Sequence, residues 1–321
     1  MKTAVIGYGI IGRVHASHAF DLEELVAICD ISKAKRDEAK REYPSVTVYE
    51  DYEEMLKREK IEVVHICTPH YLHAEMVIEA LNRGINTLCE KPLCISRDEL
   101  DAVLDAEKNS TAMLGVCLQN RYNKPNVFVK NYLEGKRVLS ASGFVFWKRD
   151  ANYYDMDEWR GKWKSEGGGV MINQALHTLD LTAYFTKMPS FVTASALNLT
   201  HPEIEVEDSA TAFFEGEVPF SFYATTSAGA DFPVGIMLKT EDETITVCAD
   251  KVVINGKVYE FIDEGEINGK ACYGTGHSKL IAHFYDCVKR GEKFAIDGEE
   301  GAKTVRMIRA IYESKGKKIK V

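Results

Sequence analysis

KTAVIGYGIIGRVHASHAF, Lys2 to Phe20, is the stretch that decides the fold. Lys2 to Ile6 is a short apolar, β-branched run that reads as a buried strand, and Ile11 to Phe20 carries a helical pattern. Between them GYGIIG places Gly7, Gly9 and Gly12 in G-x-G-x-x-G spacing, after a strand and at the start of a helix, which is where that pattern marks a dinucleotide site. Gly7 permits the tight turn, Gly9 lets the backbone approach a pyrophosphate, and Gly12 permits close helix packing. The helix start offers the amides of Ile10 and Ile11 to the anion. The plainer alternative is a glycine turn that holds nothing.

Working outward, short apolar runs alternate with helical patterns as far as residue 118, the mark of βαβ units and a parallel sheet. Strands are predicted at Glu24 to Asp30, near Thr47, and at Val63 to Cys67, Thr87 to Cys89 and Ala112 to Leu118. Helices are predicted at Lys33 to Tyr43, Asp51 to Arg58, Tyr71 to Arg83 and Ser96 to Lys108. Asp30 ends the second strand, close to the spacing of about 20 residues at which a carboxylate reaches the adenosine ribose hydroxyls. Such an acid favours NAD, while Lys33, Lys35 and Arg36 nearby leave NADP possible. The other reading of Asp30 is a cap for the helix that follows.

After about Gln119 the pattern changes. Longer strands separated by hairpin-like turns are predicted at Leu139 to Trp147, Phe191 to Leu199, Ser209 to Phe214, Phe220 to Thr226 and Val234 to Lys239. Alternation at Glu243 to Ala249 and Lys251 to Ile254, with an Asn255-Gly256 turn, extends that sheet. Helical patterns at Lys124 to Glu134, Gln174 to Phe185, Ser278 to Arg290 and Gly298 to Ser314 supply a covering layer. The expected fold is α/β: an N-terminal Rossmann domain with a doubly wound parallel sheet over residues 1–120, then a C-terminal α+β domain over residues 121–321 with a large, mostly antiparallel open sheet. The last helix is placed as able to pack back on the first domain. With too few helices to cover both faces of the second sheet, a homodimer or homotetramer is expected.

A chain of 321 residues, 45% hydrophobic and 28% charged, fits a two-domain globular protein without an apolar stretch long enough to span a membrane. The start lacks the features of a secretory signal, and the eight cysteines show no CxxC pairing, so a cytoplasmic protein with reduced thiols is expected. A net charge of -9 with interleaved basic residues argues against nucleic acid as a partner.

Two further segments carry a resemblance: ICTPHYLHAEMVIEALNRGINTLCEKPL at Ile66 to Leu93 and EGGGVMINQALHTLDL at Glu166 to Leu181. With the glycine loop, and with YYDMDEWRGKW at Tyr153 to Trp163, they make the chain similar over essentially its whole length to the glucose-fructose oxidoreductase, inositol dehydrogenase and rhizopine-catabolism superfamily, Gfo/Idh/MocA. The resemblance implies hydride transfer between NAD or NADP and a hydroxyl-bearing carbon of a sugar, sugar derivative or inositol. By resemblance Glu90-Lys91-Pro92 is the family's EKP signature, with Lys91 beside the nicotinamide and the reacting hydroxyl. An ammonium there stabilises developing alkoxide character and joins a proton relay; outside the family context Lys91 reads as a surface lysine in a turn.

His177 has the titration range to take or return the hydroxyl proton, and Asn173, four residues earlier, is expected on the same helix face. The family commonly has aspartate where Asn173 stands; Asn173 and Gln174 can hydrogen-bond substrate hydroxyls but cannot act as carboxylate bases. The glycine run Gly167 to Gly169 reads as a helix start at a ligand, against the alternative of His177 as a core histidine. Thr68, Pro69 and His73 are placed by resemblance along the cofactor path, with His73 alternatively packed under the loop. Trp159 and Arg160 are placed at the cofactor and substrate mouth, and Tyr153 and Trp163 as aromatic faces for a sugar ring, or else as packing. His201, His277 and His283 have no metal-like spacing with acids, and no metal is expected. Two other activities stay open: a glycosidase of the same superfamily that oxidises its sugar transiently, and a regulator that binds dinucleotide and sugar without turnover. The presence of both Lys91 and His177 speaks against the regulator.

Overall fold

The computed structural model describes residues 1–262 and 275–321. In chain order the elements of the first sheet region are β1 (Lys2–Ile6), α1 (Ile10–Leu22), β2 (Glu24–Cys29), α2 (Lys33–Glu42), β3 (Thr47–Tyr49), α3 (Tyr52–Arg58), β4 (Val63–Ile66), α4 (His73–Asn82), β5 (Asn86–Cys89), α5 (Arg97–Asn109) and β6 (Leu114–Val116). The six strands are parallel, in the order β3-β2-β1-β4-β5-β6. Strand order reverses between β1 and β4, the topological switch point at which open α/β sheets bind ligands. Ala4, Val5, Val63, Val64 and Ile66 are fully buried, as central strands covered on both faces require.

The second region holds α6 (Lys124–Tyr132), β7 (Val138–Phe146), α7 (Ala151–Asp155), α8 (Leu176–Thr186), β8 (Phe191–Leu197), β9 (Ser209–Glu215), β10 (Phe220–Thr225), β11 (Gly235–Thr240), β12 (Thr244–Val247), β13 (Lys251–Ile254) and β14 (Lys257–Glu260). After the undescribed residues come α9 (Gly276–Arg290), α10 (Gly298–Ser314) and β15 (Ile319–Lys320). Nine strands form one sheet, β14-β13-β12-β11-β7-β10-β9-β8-β15, antiparallel except that β7 and β10 run parallel. The β13–β14 hairpin turns at Asn255 and Gly256, both at positive φ, as the Asn-Gly signal requires. Helix α8 lies on β7, and Gly143 makes that approach possible: a Cβ there would stand 2.6 Å from Thr182 Oγ1. On the other face Phe213 and Met237 are exposed and Phe144, Phe146 and Tyr223 half-buried.

The compact units do not follow one cut at residue 120. The first comprises 1–94, 98–119 and the described residues of 267–302; the second comprises 95–97, 120–262 and 303–321. The parallel sheet is therefore packed by α9 together with the first residues of α10, as the expectation for the last helix had it in part: a Cβ at Gly301 would stand 2.5 Å from Val116, and the Gly298 amide donates to Glu107 Oε1 at 3.0 Å. The apolar face of α9, Leu280, Ile281, Phe284, Tyr285 and Cys287, is buried at helical spacing. Phe284 lies over Gly115, where a Cβ would be 2.7 Å from the ring, and the Val116 amide donates to Ile296 O of the chain that follows, at 2.9 Å.

Candidate active site

The glycine loop leaves β1 with Gly7 at φ +90°, a conformation that side chains resist, and a Cβ there would lie 2.6 Å from the Cys67 carbonyl oxygen. Gly12 is tighter still, since its Cβ would fall 1.9 Å from the Gly7 oxygen. Only Gly9 is open, with Lys35 Nζ at 3.8 Å as the nearest atom. Two glycines therefore shape the turn, and the third leaves the backbone approachable. Gly9 caps α1 without any side-chain hydrogen bond, so the first amides of the helix, Ile10 and Ile11 among them, point outward from a positive helix end. A dinucleotide pyrophosphate fits this cradle.

Asp30 follows β2 directly and is buried. Its Oδ2 accepts the Tyr8 amide of the glycine loop at 2.7 Å and its Oδ1 accepts the Ser32 amide at 2.8 Å, while Lys35 Nζ stands 4.0 Å away. The carboxylate thus ties the loop to the end of β2, and Ser32 rather than Asp30 is the residue that precedes α2. Tyr8 carries no signal in the sequence, because its contribution is a backbone amide.

Lys91 follows β5 and precedes Pro92 across a cis peptide bond. Its amide donates to Glu90 Oε2 at 3.1 Å. The Glu90 side chain is buried and engaged by His15 Nε2 at 2.9 Å and His277 Nε2 at 3.4 Å. Burial alone would raise its pKa, but the hydrogen bonds from those two imidazoles hold it well below the usual carboxylate range. His73 is fully buried, with Nδ1 2.6 Å from Pro92 O and Nε2 2.8 Å from Thr68 O. It clamps the Thr68-Pro69 turn to the Lys91-Pro92 turn, and neither ring nitrogen is left for a ligand. Of the two sequence readings for His73, packing under the loop is the one its contacts match. Thr68 itself is half-buried, its hydroxyl 3.5 Å from Met76 sulfur.

In the second unit Tyr153 is the hub. Its hydroxyl accepts from Arg160 Nη1 at 2.5 Å, Gln174 Nε2 at 2.9 Å and Asn173 Nδ2 at 3.3 Å. Asn173 Nδ2 also donates to Glu166 Oε1 at 2.5 Å, and Glu166 Oε2 accepts the Gly161 amide. Glu166 is 1% exposed, so an aspartate at 173 would set a second carboxylate against a buried one; the amide suits that neighbour. Arg160 is spread over the rings of Trp159 and Tyr153, at 4.7 and 4.6 Å from their centroids, and pairs with Asp157. Trp163 donates its indole N–H to Glu205 O at 2.9 Å and packs edge-on against Tyr312, with its outer surface exposed.

His177 lies in the first turn of α8, half-buried, but Asn173 does not share that helix. Asn173 sits in the turn before it, its amide bonded to Gly169 O at 3.1 Å. The shared helix face expected from the four-residue spacing is absent because α8 starts at Leu176, two residues later than predicted.

The glycine run is packed rather than open. Cβ atoms at Gly167, Gly168 and Gly169 would meet Ile95 at 2.5 Å, Tyr312 Oη at 2.0 Å and Glu207 O at 1.9 Å. Glu207 is buried beneath the run, accepting the Gly169 and Met171 amides at 2.8 and 3.0 Å and the Tyr312 hydroxyl at 2.8 Å. Burial pushes its carboxyl up to about 7 against the pull of those donors. Glu166 opens the family segment but was given no role there, and Glu207, which also organises this region, carried no signal in the sequence beyond being an acid. A cavity of about 890 Å³ opens elsewhere, at the N-terminal ends of β5 and β6, lined by Asn86, Leu114 and Phe294 and remote from the glycine loop.

Residues 1–118 match a family model described as an oxidoreductase family with an NAD-binding Rossmann fold, and residues 137–254 match the GFO/IDH/MocA C-terminal domain. Among curated proteins, the scyllo-inositol 2-dehydrogenase (NADP(+)) IolW of Bacillus subtilis is 25% identical over 206 residues, 61% of this chain and 55% of that protein. Inositol 2-dehydrogenase of Salmonella paratyphi B is 30% identical over 143 residues, 43% of each chain. The matched region thus spans about half the length of these relatives. Among solved structures, the WlbA dehydrogenase from Bordetella pertussis, in complex with NADH and UDP-GlcNAcA, superposes with a TM-score of 0.87 at 25% identity, covering 100% of this chain and 98% of that one.

Proposed function

The chain belongs to the Gfo/Idh/MocA family of NAD-binding oxidoreductases, and on that footing we propose that it moves a hydride between a nicotinamide dinucleotide and a hydroxyl-bearing carbon of a sugar, sugar derivative or inositol. The observation that carries the reading is the switch-point loop: Gly9 open, Gly7 and Gly12 closed, the first amides of α1 presented outward, and Asp30 fixed beside them. Gly7, Gly9, Ile10, Ile11, Gly12 and Asp30 would hold the dinucleotide, with Thr68, Pro69 and Lys91 following at the C-terminal ends of the neighbouring strands. When bound, the nicotinamide gives or takes the hydride.

The chain's own residues handle the proton. Lys91 Nζ holds the substrate oxygen and stabilises its developing negative charge; an imidazole nitrogen of His177 takes the hydroxyl proton in oxidation and returns it in reduction. Asn173 and Gln174, oriented by Tyr153 and Glu166, bind hydroxyls without titrating. Arg160 and Trp159 serve to position this cluster, and Trp163 offers an exposed aromatic face to a ring. A panel of sugars, sugar acids and inositols with NAD, followed at the NADH absorbance and repeated with NADP, tests the reading. Reduced nicotinamide formed with a member of the panel supports it. Tight nucleotide binding without turnover would make the protein a regulator, and aglycone release without NADH would make it a glycosidase.

NAD is the preferred cofactor in this proposal because Asp30 would repel a 2′-phosphate, while Lys35 nearby softens the exclusion. Asp30→Ala should raise the Kd for NAD and narrow the gap to NADP. Nucleotide titrations that return the wild-type NAD to NADP ratio would leave Asp30 as a loop tie alone.

The half-exposed face of the nine-stranded sheet supports a homodimer or homotetramer built on that face, with Phe213 and Met237 covered by a second copy. Light scattering at micromolar concentration should give at least twice the chain mass, and a monomer there rejects it. No helix among the described residues is long and apolar enough to cross a membrane. Free, buried thiols at Cys29, Cys67 and Cys117 support a cytoplasmic setting, where they stay reduced.

A further inference from the structure

Behind the Lys91 turn, inside the first unit, four side chains from four separate segments converge: His15 from α1, Glu90 after β5, Cys117 after β6 and His277 from the first turn of α9. One ligand-capable atom of each lies within 4.8 Å of all the others, and none of the four residues is more than 5% exposed. We propose that this cluster is a structural site for one zinc-type divalent transition metal, bound by His15 Nε2, a Glu90 carboxylate oxygen, Cys117 Sγ and His277 Nε2.

The spacing fits. A tetrahedral ion with metal–nitrogen and metal–oxygen bonds of about 2.0–2.2 Å and a metal–sulfur bond of about 2.3 Å needs ligand atoms roughly 3.3–3.7 Å apart. The cluster has His15 Nε2 2.9 Å from Glu90 Oε1, Glu90 Oε1 3.4 Å from His277 Nε2, and His15 Nε2 3.9 Å from Cys117 Sγ. Adjustments of well under an ångström per side chain therefore suffice to centre an ion. Two imidazoles, a thiolate and a carboxylate select zinc or its neighbours over calcium or magnesium, which prefer oxygen alone. Four protein ligands leave no open position, the mark of a structural site.

A second observation points the same way. Metal-bound histidines are usually held by a partner on the other ring nitrogen. His15 Nδ1 is 2.8 Å from His65 Nδ1, and His65 Nε2 is 2.7 Å from Tyr285 Oη, all fully or almost fully buried. That chain fixes the His15 ring with Nε2 aimed at the cluster. A divalent ion with one carboxylate and one thiolate is neutral overall, and the Cys117 proton leaves to solvent as the S–metal bond forms. The ion would pin α9 to the parallel sheet and hold the Glu90 carboxylate that receives the Lys91 amide. No spacing in the sequence marked these four residues, and the expectation of no metal weighed only His201, His277 and His283 for spacing with acids, together with a hydride transfer that needs no metal.

The untagged protein should carry about one zinc per chain by mass spectrometry, or take up one after zinc is supplied to chelator-treated protein, with a higher Tm when loaded. Cobalt reconstitution should give a thiolate-to-cobalt band with four-coordinate visible bands, and X-ray absorption on zinc-loaded wild-type protein should count one sulfur among four ligands. Cys117→Ser and His277→Gln should each weaken zinc binding by about 10- to 100-fold. The wild-type spectra decide the matter if those variants fail to fold. A folded wild-type protein that takes up no zinc or cobalt, a zinc shell without sulfur, or a folded Cys117→Ser variant with undiminished zinc affinity would overturn the site and leave a hydrogen-bonded network. None of these readouts depends on turnover, so they stand apart from the test of hydride transfer.

Discussion

Lys91→Ala is expected to lower kcat by about 100-fold or more while leaving NAD affinity within a few-fold, the size of effect a positioned proton-transfer group has when lost. The separation follows from how Lys91 is held. Its backbone is fixed by the Glu90 carboxylate on one side and, through Pro92, by buried His73 on the other, so truncating the side chain removes the ammonium and leaves the turn in place. The glycine loop and Asp30 are untouched by the change and continue to bind the dinucleotide. His177→Ala should produce a loss of the same order, because on the proposed mechanism it removes the other group serving the same proton. On the proposed mechanism both serve one proton transfer, so the double variant should be little worse than the poorer single one. Near-normal kcat in both single variants, with an authentic substrate, would mean that the hydroxyl proton leaves by another route.

The parallel sheet and its nucleotide loop were legible because its central strands are buried on both faces and write themselves as short apolar runs, as Val63 to Ile66 does with His65 its one polar member. The long strands of the second sheet were legible from alternation. What could not be read was where an amphipathic element docks. The apolar face of α9 announces that it packs, yet nothing in residues 276–290 says that it packs on the parallel sheet. At the site, the motif residues were found but their partners were not. Asn173 looked like a substrate ligand with a missing charge; its neighbour Glu166 supplies a buried carboxylate at 2.5 Å, a relation that sequence spacing alone does not establish. Tyr153 was read as an aromatic face, and its hydroxyl turns out to gather three donors. His15, His65, Cys117 and His277 are each plausible core residues alone, and only the fold brings them together.

Gly169→Ala is expected to destabilise the second unit by more than about 3 kcal/mol, lowering its Tm by about 10 °C. The new Cβ would stand 1.9 Å from Glu207 O, a backbone atom that cannot swing aside like the end of a side chain. Relief requires prising residues 169–171 from residue 207, and that breaks the Val170 amide bond to Glu207 O together with the Gly169 and Met171 amide bonds to its carboxylate. Glu207 is buried, so losing two of its donors, with the Tyr312 hydroxyl still on Oε1, removes much of what offsets its desolvation. Gly84→Ala provides the comparison. Gly84 has φ +71°, and a methyl added there would meet nothing within 4 Å, so it carries only the left-handed backbone penalty of about 1 kcal/mol. The pair separates two reasons for a glycine: conformation at 84, and contact at 169. If thermal unfolding places Gly169→Ala as close to wild type as Gly84→Ala, the run is not held by packing, and the reading of Gly167 to Gly169 as a helix start at a ligand regains its place.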